Sequence, residues 1–235
     1  RFFPMAMNLL NETDVELSIK KTIAHFGGID VVVNNAGFGL AGGLEELTDA
    51  EVRMNFEVNV FGALHVIRKV LPHMRKQNSG YILNIASVGG FVGTFPGFGI
   101  YCATKFAMHG FTESLAAEVK QFGIYATIVS PGYFRTNFLD SSLQVPAKPI
   151  AEYKAVRDAQ NTHQFSINGK QPGDPEKAAS VLIEVSAMKE APLHLYLGGD
   201  AYQLVEQKIN WLQESMRSIE SLATSTAFQE SIVEN

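Results

Sequence analysis

Short apolar runs alternate with stretches of helical periodicity along the 235-residue chain. The apolar runs predict strands at residues 5–10, 29–34, 80–85, 124–132 and 193–198. Helical spacing predicts helices at 13–26, from a capping box at Thr48–Glu51 to Pro72, through Tyr101 to about 122, at 174–189 and at 200–221. We expect Pro72 to kink or end its helix.

Strands that alternate with helices predict an α/β fold, in which a doubly wound Rossmann-type parallel sheet is flanked by helices. The run "IDVVVNN" is apolar without alternation, which is typical of a parallel strand buried on both faces. In such sheets ligands bind at the carboxyl ends of the strands. The polar residues Asn34, Asn35 and Ser87 and the Pro131-Gly132 turn fall at those ends.

One long stretch, residues 136–173, interrupts this alternation. It is polar, contains proline, and has only a weak helical pattern at residues 150–160. A long insertion after a strand at the ligand-binding edge favours a substrate lid or binding loop. We expect it to be the most mobile part of the protein without ligand.

The amino-acid composition favours a single globular domain and argues against several classes of partner. Hydrophobic residues make up 46% of the chain, which suits one domain spanning 1–235. A net charge of −5 argues against nucleic acid and anionic membranes as partners, and no apolar run is long enough to span a bilayer. A single cysteine, Cys102, favours a reducing, cytoplasmic setting, where it packs as a small hydrophobe.

Tyr101 and Lys105 are the first candidates for chemistry. Four residues apart on a predicted helix, they share one face. A neighbouring ammonium lowers the pKa of a phenol, which can then exchange a proton with an alcohol or carbonyl. Ser87, at the end of a strand, can hold the substrate oxygen. Alone, the pair is more typical of an ordinary amphipathic helix, because such pairs are common.

Further motifs accompany the pair in a fixed order. They are "NNAG" at 34–37, "NVFG" at 59–62, "NIAS" ending at Ser87, "YCATK" at 101–105, and "SPG" at 130–132 followed by Thr136. In this order the sequence resembles the short-chain dehydrogenase/reductase family, in its branch with subunits of about 250 residues. The resemblance extends from Met5 to about Gly199.

The resemblance implies a role for each matching residue. Tyr101 would be the catalytic acid/base, Lys105 would lower its pKa and bind the nicotinamide ribose, Ser87 would orient the substrate oxygen, and Asn59 would hold a relay water. Asn35, Ala36 and Gly37 would line the adenosine-ribose side of NAD or NADP. Pro131, Gly132 and Thr136 would cradle the nicotinamide. Asn8 matches a position that contacts adenine and is usually Asp, which weakens that role.

The glycine motif that binds the cofactor phosphates in this family does not occur at a first strand-to-helix turn. "GFGLAG" at 37–42 follows a strand, but the next helix starts only at Thr48, so a flexible turn is the better interpretation. We therefore expect two strand–helix units to precede Arg1 in the natural protein. The strand at 29–34 would need one of them as its second neighbour.

We predict an NAD(P)-dependent oxidoreductase that interconverts a secondary alcohol and a ketone. Phe95, Phe98 and Tyr133 favour an apolar or aromatic substrate. The alternatives are a non-catalytic dinucleotide-binding scaffold or regulator on the same fold, and a structural fragment without cofactor affinity. The six histidines show no metal-ligand spacing, so we predict no metal site. The resemblance implies a homodimer or homotetramer.

Overall fold

The computed structural model describes residues 2–228 and contains a parallel sheet flanked by helices. Residue 1 and residues 229–235, which belong to the predicted 1–235 domain, lie outside the described residues. The helices are α1 (Glu12–Phe26), α2 (Asp49–Phe56), α3 (Gly62–Gln77), α4 (Gly99–Val119), α5 (Lys154–Asn161), α6 (Pro175–Ser186) and α7 (Gly199–Ala223). The strands are β1 (Val31–Asn34), β2 (Gly39–Leu40), β3 (Gly80–Ile85), β4 (Ile124–Pro131), β5 (Leu143–Gln144) and β6 (His194–Leu197).

The main sheet has the order β1-β3-β4-β6, and each neighbouring pair is parallel. One face packs against α1, α3 and α4 around Val15, Val70 and Ile82. The other packs against α6 around Leu83 and Val185. This arrangement confirms the predicted α/β class.

A buried polar ladder fixes the register where β1 and β3 end. Asn34 Nδ2 donates to Asn84 Oδ1 over 2.7 Å, and Asn84 Nδ2 donates to Thr112 Oγ1 of α4 over 2.9 Å. Asn34 is also the partner of Asn84 in the strand register. Buried amides need such partners, so this ladder holds α4 against the sheet edge where the candidate site lies.

Several sequence predictions for elements were wrong. Residues 5–10 form no strand, because no described segment pairs with them. Helix α3 does not end at Pro72 but continues to Gln77, and the left-handed C-cap Asn78 donates its N–H to Arg75 O and Met74 O. The "GFGLAG" segment is not a flexible turn, because its buried residues Gly39 and Leu40 form β2 and pair with β5.

Strand β1 lies at one edge of the described sheet and not in its interior. It pairs with β3 alone among the described strands, and Val31 and Val33 are 41% and 47% exposed. The single pairing agrees with the expectation that these residues supply the strand with one neighbour, whereas the face that carries Val31 and Val33 is not buried within the described chain. The predicted helices α1, α4, α6 and α7 are confirmed to within a few residues.

The stretch at 136–173 contacts α2 and the loop before it. It contains β5, α5 and a π-helical turn at Thr162–Ile167. Glu45, Glu46 and Glu51 accept hydrogen bonds from Tyr153 Oη, Ile150 N and Ala147 N over 2.6, 2.7 and 3.2 Å. We call residues 136–173 the lid segment.

Candidate active site

A cavity of about 390 Å³ lies at the carboxyl ends of β1, β3 and β4, beneath the lid segment. Most of the predicted site residues line it: Asn35, Gly37, Ser87, Phe95, Phe98, Tyr101, Lys105, Pro131, Gly132, Tyr133 and Thr136. Asn8, Ala36 and Asn59 are not among the lining residues. The position of this cavity agrees with the expectation that ligands bind where the strands end.

Ser87 and Tyr101 face each other at one wall of the cavity. Ser87 follows β3 and caps a short 3-10 turn, in which its Oγ accepts from Gly89 N over 3.0 Å. Tyr101, in the first turn of α4, is 9% exposed, and its hydroxyl hydrogen-bonds Ser87. Burial raises the pKa of the Tyr101 phenol, and the Ser87 hydrogen bond opposes that rise. The phenol is therefore protonated at neutral pH in the ligand-free protein.

Lys105 lies one helical turn beyond Tyr101 and is 5% exposed. Its ammonium donates to the backbone carbonyl of Ile85 over 2.8 Å and lies 5.8 Å from the centroid of the Tyr101 ring. Burial lowers the pKa of Lys105 to about 8. Burial is the largest cause of the raised pKa of Tyr101 in this site.

Asn59 lies in a π-helical turn, Glu57–Phe61, between α2 and α3. Its Oδ1 accepts from Phe38 N over 3.0 Å, and its Nδ2 donates to Phe38 O and to Thr104 Oγ1 over 3.0 and 3.1 Å. The side chain therefore ties the loop after β1 to α4. A Cβ on Gly37 would lie 3.0 Å from Asn59 Oδ1 and 3.6 Å from Lys105 Nζ, so glycine allows this close approach.

The Pro131–Tyr133 turn at the end of β4 is held from the far side by Asp200. Asp200 Oδ2 accepts from Tyr133 N over 2.7 Å. A Cβ on Gly132 would overlap that carboxylate, so the close contact requires glycine. Thr136 Oγ1 accepts from Phe138 N over 3.3 Å and starts a 3-10 turn.

The remaining predicted cofactor residues sit at the end of β1 and before α1. Asn35 and Ala36 are exposed, and Asn35 lines the cavity. Asn8 Oδ1 accepts from Leu10 N over 3.0 Å, so this side chain stabilises a turn. Asn35, Gly132 and Thr136 are therefore among the predicted cofactor residues that reach the cavity from the ends of β1 and β4.

The cavity wall is mostly apolar. Phe98, Phe138 and Leu139 pack together with Tyr101 and Cys102, and the Tyr101 and Phe138 rings are 5.4 Å apart. Tyr133 Oη lies 3.0 Å from His163 Nε2. Lys105 is the only Lys, Arg, Asp or Glu among the described residues that line the cavity.

Sequence reasoning missed several residues around the site, of which His109 is the most instructive. It lies one turn beyond Lys105, and its ring contacts Ser130 Oγ over 3.0 Å and hydrogen-bonds the backbone of Ser87. His109 follows Tyr101 and Lys105 at the same four-residue spacing, which could have predicted that it lies on the same face of the helix. No such signal marked His163 and Gln171, which only the folded chain brings to the cavity, or Asp200, which only the folded chain brings to Tyr133 N.

His109, Glu113 and His194 also form a cluster whose ligand atoms all lie within 4.8 Å of one another. The sequence prediction of no metal spacing did not foresee it, because β6 supplies His194. His109 Nε2 already contacts Ser130, and His194 Nε2 lies 3.6 Å from Glu113.

Within residues 2–228, the helices are too short or too polar to cross a membrane.

Known proteins resemble the chain in sequence and in fold. The family model described as "short chain dehydrogenase" matches residues 1–145. Oxidoreductase BOA17 of Botryotinia fuckeliana is 34% identical, with 97% of this chain and 82% of that protein covered. The 3-ketodihydrosphingosine reductase of Bacteroides thetaiotaomicron is 34% identical, with 90% and 78% covered.

Solved structures show the same similarity in their fold. A short-chain dehydrogenase from Streptomyces avermitilis superposes with a TM-score of 0.87 at 35% identity, covering 95% of this chain and 80% of that one. ElxO, solved with NADP bound, superposes with a TM-score of 0.67 at 26% identity, covering 84% and 77%. With a family match over more than half its length, the chain is an oxidoreductase of the short-chain dehydrogenase family.

Proposed function

We propose that the protein interconverts a secondary alcohol and a ketone with NAD or NADP as cofactor, and that the substrate is apolar or aromatic. The observation that carries this proposal is the placement of Ser87, Tyr101 and Lys105 at one wall of a cavity whose other walls are mostly apolar. Two proteins similar to this chain, the 3-ketodihydrosphingosine reductase of Bacteroides thetaiotaomicron and NADP-bound ElxO, agree with it.

The bound cofactor would supply or accept the hydride. For ketone reduction, Tyr101 donates its proton to the carbonyl oxygen, which suits a phenol that burial keeps protonated at neutral pH. Ser87 donates a second hydrogen bond to the same oxygen and so polarises the carbonyl. Lys105, which lies beside both the Tyr101 ring and the loop after β1, would bind the ribose and stabilise the phenolate once the proton has left.

The nicotinamide would lie against the Pro131–Gly132–Tyr133 turn, with Thr136 as its polar neighbour, and Asn35 and Gly37 would lie toward the adenosine ribose. The chemistry of this turn and of Thr136 fits a carboxamide, because the backbone and the hydroxyl supply neutral donors and acceptors at the cavity surface. Asn8 and Ala36 are expected toward the adenosine half, and Asn59 is expected to hold a relay water. The lid segment would cover the substrate.

The intact set of Asn59, Ser87, Tyr101 and Lys105 argues against a non-catalytic scaffold. The proposed homodimer or homotetramer and the cytoplasmic location stay predictions. The exposed rings of Phe61 and Phe106, 43% and 44% accessible, are available for a subunit contact.

The decisive experiment titrates NADH and NADPH separately into the protein by fluorescence and then follows cofactor oxidation at 340 nm with apolar ketones. We expect saturable binding of at least one cofactor and turnover that depends on the ketone. Binding without turnover on a broad set of ketones and alcohols would favour the scaffold. An absence of cofactor binding would contradict both functions.

A further inference from the structure

Gln171 is a polar residue in the cavity wall whose side chain has no partner. The residue is 1% exposed and lines the cavity, yet neither its Nε2 nor its Oε1 makes a hydrogen bond. A buried amide without partners is costly and uncommon in native proteins, so each case needs an explanation. A partner that arrives with a ligand is the explanation that a cavity position favours.

The position of Gln171 is fixed from its backbone. Arg135 Nη2 donates to the Gln171 carbonyl over 3.0 Å. Two residues later, Gly173 N donates to Tyr133 O over 3.0 Å, and Arg135 N donates to Gly173 O over 2.9 Å. The lid segment is therefore anchored at Gln171 to the turn that ends β4, and the amide is held beside the proposed nicotinamide turn.

The other polar side chains at this end of the cavity already have partners. His163 Nδ1 contacts Ala159 O over 2.7 Å, which fixes the proton on that nitrogen and leaves Nε2 to accept from Tyr133 Oη. The polar atoms of Tyr133 and His163 therefore have hydrogen-bond partners without a ligand. Gln171 differs because both its donor and its acceptor are unused.

We propose that Gln171 recognises the substrate, and that the substrate carries a second uncharged group, remote from its reacting carbonyl, which both donates and accepts hydrogen bonds. A hydroxyl fits, because it accepts from Nε2 and donates to Oε1 at once. A carboxylate or phosphate does not fit, because the described cavity lining holds no arginine and its only lysine is Lys105. This inference rests on the proposed alcohol/ketone chemistry and specifies the substrate class for it.

The first test needs no substrate. Gln171→Leu keeps the side-chain volume and removes the two unpartnered atoms, so the ligand-free protein should melt about 2–4 °C higher. The matched control is Gln77→Leu, because the Gln77 amide is partnered by Ile29 N and Ile29 O over 3.4 and 3.1 Å, and its loss should lower the melting temperature. A lower melting temperature for Gln171→Leu as well would assign the amide a structural partner and overturn the proposal.

The second test compares 2-alkanones with their ω-hydroxy counterparts over a series of chain lengths. At one chain length, the parent protein should prefer the hydroxyketone by at least about tenfold in kcat/KM, and Gln171→Leu should bring that ratio toward one. An unchanged ratio, or a preference at no chain length, would overturn the proposal. So would a loss in Gln171→Leu of affinity for the cofactor alone, because the amide would then serve the cofactor.

The two proposals fail in different ways. Turnover of the plain 2-alkanones by the parent protein tests the alcohol/ketone chemistry without Gln171. If no ketone is reduced, the proposed function fails. If plain ketones are reduced and the hydroxyketone ratio does not respond to Gln171→Leu, only the present inference fails.

Discussion

The ammonium of Lys105 lies 5.8 Å from the centroid of the Tyr101 ring and donates a hydrogen bond to the carbonyl of Ile85. Lys105 is thus tied to the end of β3, the strand that leads to Ser87. One helix, α4, and one strand end therefore hold the proposed proton donor, its cation and the substrate-binding hydroxyl in a single wall. The chemistry at this wall can be tested one residue at a time.

Tyr101→Phe should abolish proton transfer and leave the fold and cofactor binding intact. The change removes one hydroxyl from a ring that packs against Phe138, so packing is retained. We expect ketone reduction to fall by at least about 100-fold, as is typical for loss of a general acid. The matched control is Tyr81→Phe, which removes another buried hydroxyl, bonded to Thr127. Near-full turnover in Tyr101→Phe would contradict the assignment.

Lys105→Met should shift the acidic limb of the pH–rate profile for alcohol oxidation to higher pH. The phenolate loses its nearest cation, and the pKa of Tyr101, already raised by burial, rises further. Cofactor affinity, measured by fluorescence titration, should fall as well. Lys105→Arg keeps the charge and should give a smaller pH shift. If Lys105→Met leaves both the profile and the affinity unchanged, Lys105 has a structural role only.

The α/β class and most of the site were predictable because both depend on local patterns. Tyr101 and Lys105 are linked by helical spacing, and Ser87 by its place after a strand, so sequence alone could bring them together. The strand predicted at 5–10 failed because a strand requires a partner, which local pattern does not reveal. Gln171 and Asp200 were missed for the same reason, since both act through contacts across more than thirty residues.

The lid segment should exchange its amide hydrogens faster than β3 in the ligand-free protein and slow down when substrate binds. Its main attachment is the Glu46 carboxylate, whose side chain is fully buried. Burial alone would raise the pKa of Glu46, but hydrogen bonds from Ile150 N and Gly43 N and the nearby Arg157 lower it. Glu46→Gln leaves Arg157 without its buried counter-charge.

Hydrogen exchange followed by mass spectrometry should therefore show faster exchange at residues 146–160 in Glu46→Gln than in the parent. The matched control is Glu16→Gln, which alters an exposed pair with Lys20 far from the lid segment. Protection of the lid segment equal to that of β3 without ligand would show that it is not the mobile element we predict.

Asp200→Ala should weaken cofactor binding through the turn that Asp200 supports. The carboxylate accepts from Tyr133 N, and loss of a charged hydrogen bond is worth about 1.5–3 kcal/mol. We expect the cofactor dissociation constant to rise by about tenfold or more, with a smaller change in kcat. Asp200→Asn keeps an acceptor oxygen and should restore most of the affinity. Equal loss in Asp200→Asn and Asp200→Ala would indicate that the charge acts directly on the ligand.

The last prediction concerns His109, which is buried against Ser130 and the backbone of Ser87. Burial is the largest cause that lowers the pKa of His109 from 6.5 to about 4, and repulsion from His194 is the next. The hydrogen bond with the Ser87 backbone raises this pKa in part, and repulsion from Lys105 lowers it a little more. Glu113, within 4.8 Å, is the acidic group facing this cluster. Below pH 6.5 the unfolded chain therefore binds a proton that the folded protein does not take up.

The free energy of unfolding should consequently fall as the pH drops from about 6.5 toward 4, and it should be fully restored above 6.5. His109→Gln retains hydrogen-bonding capacity and does not titrate, so its stability should fall less over that range, whatever its absolute value at pH 7. Urea unfolding is measured from pH 6.5 to 5. The carboxylates of Glu16, Glu46 and Glu51, whose pKa values are lowered from 4.5, change the free energy of unfolding mainly below this range. If the free energy of unfolding changes equally with pH in the parent and in His109→Gln, the imidazole takes up its proton in the folded state. That result would contradict its burial as a neutral ring.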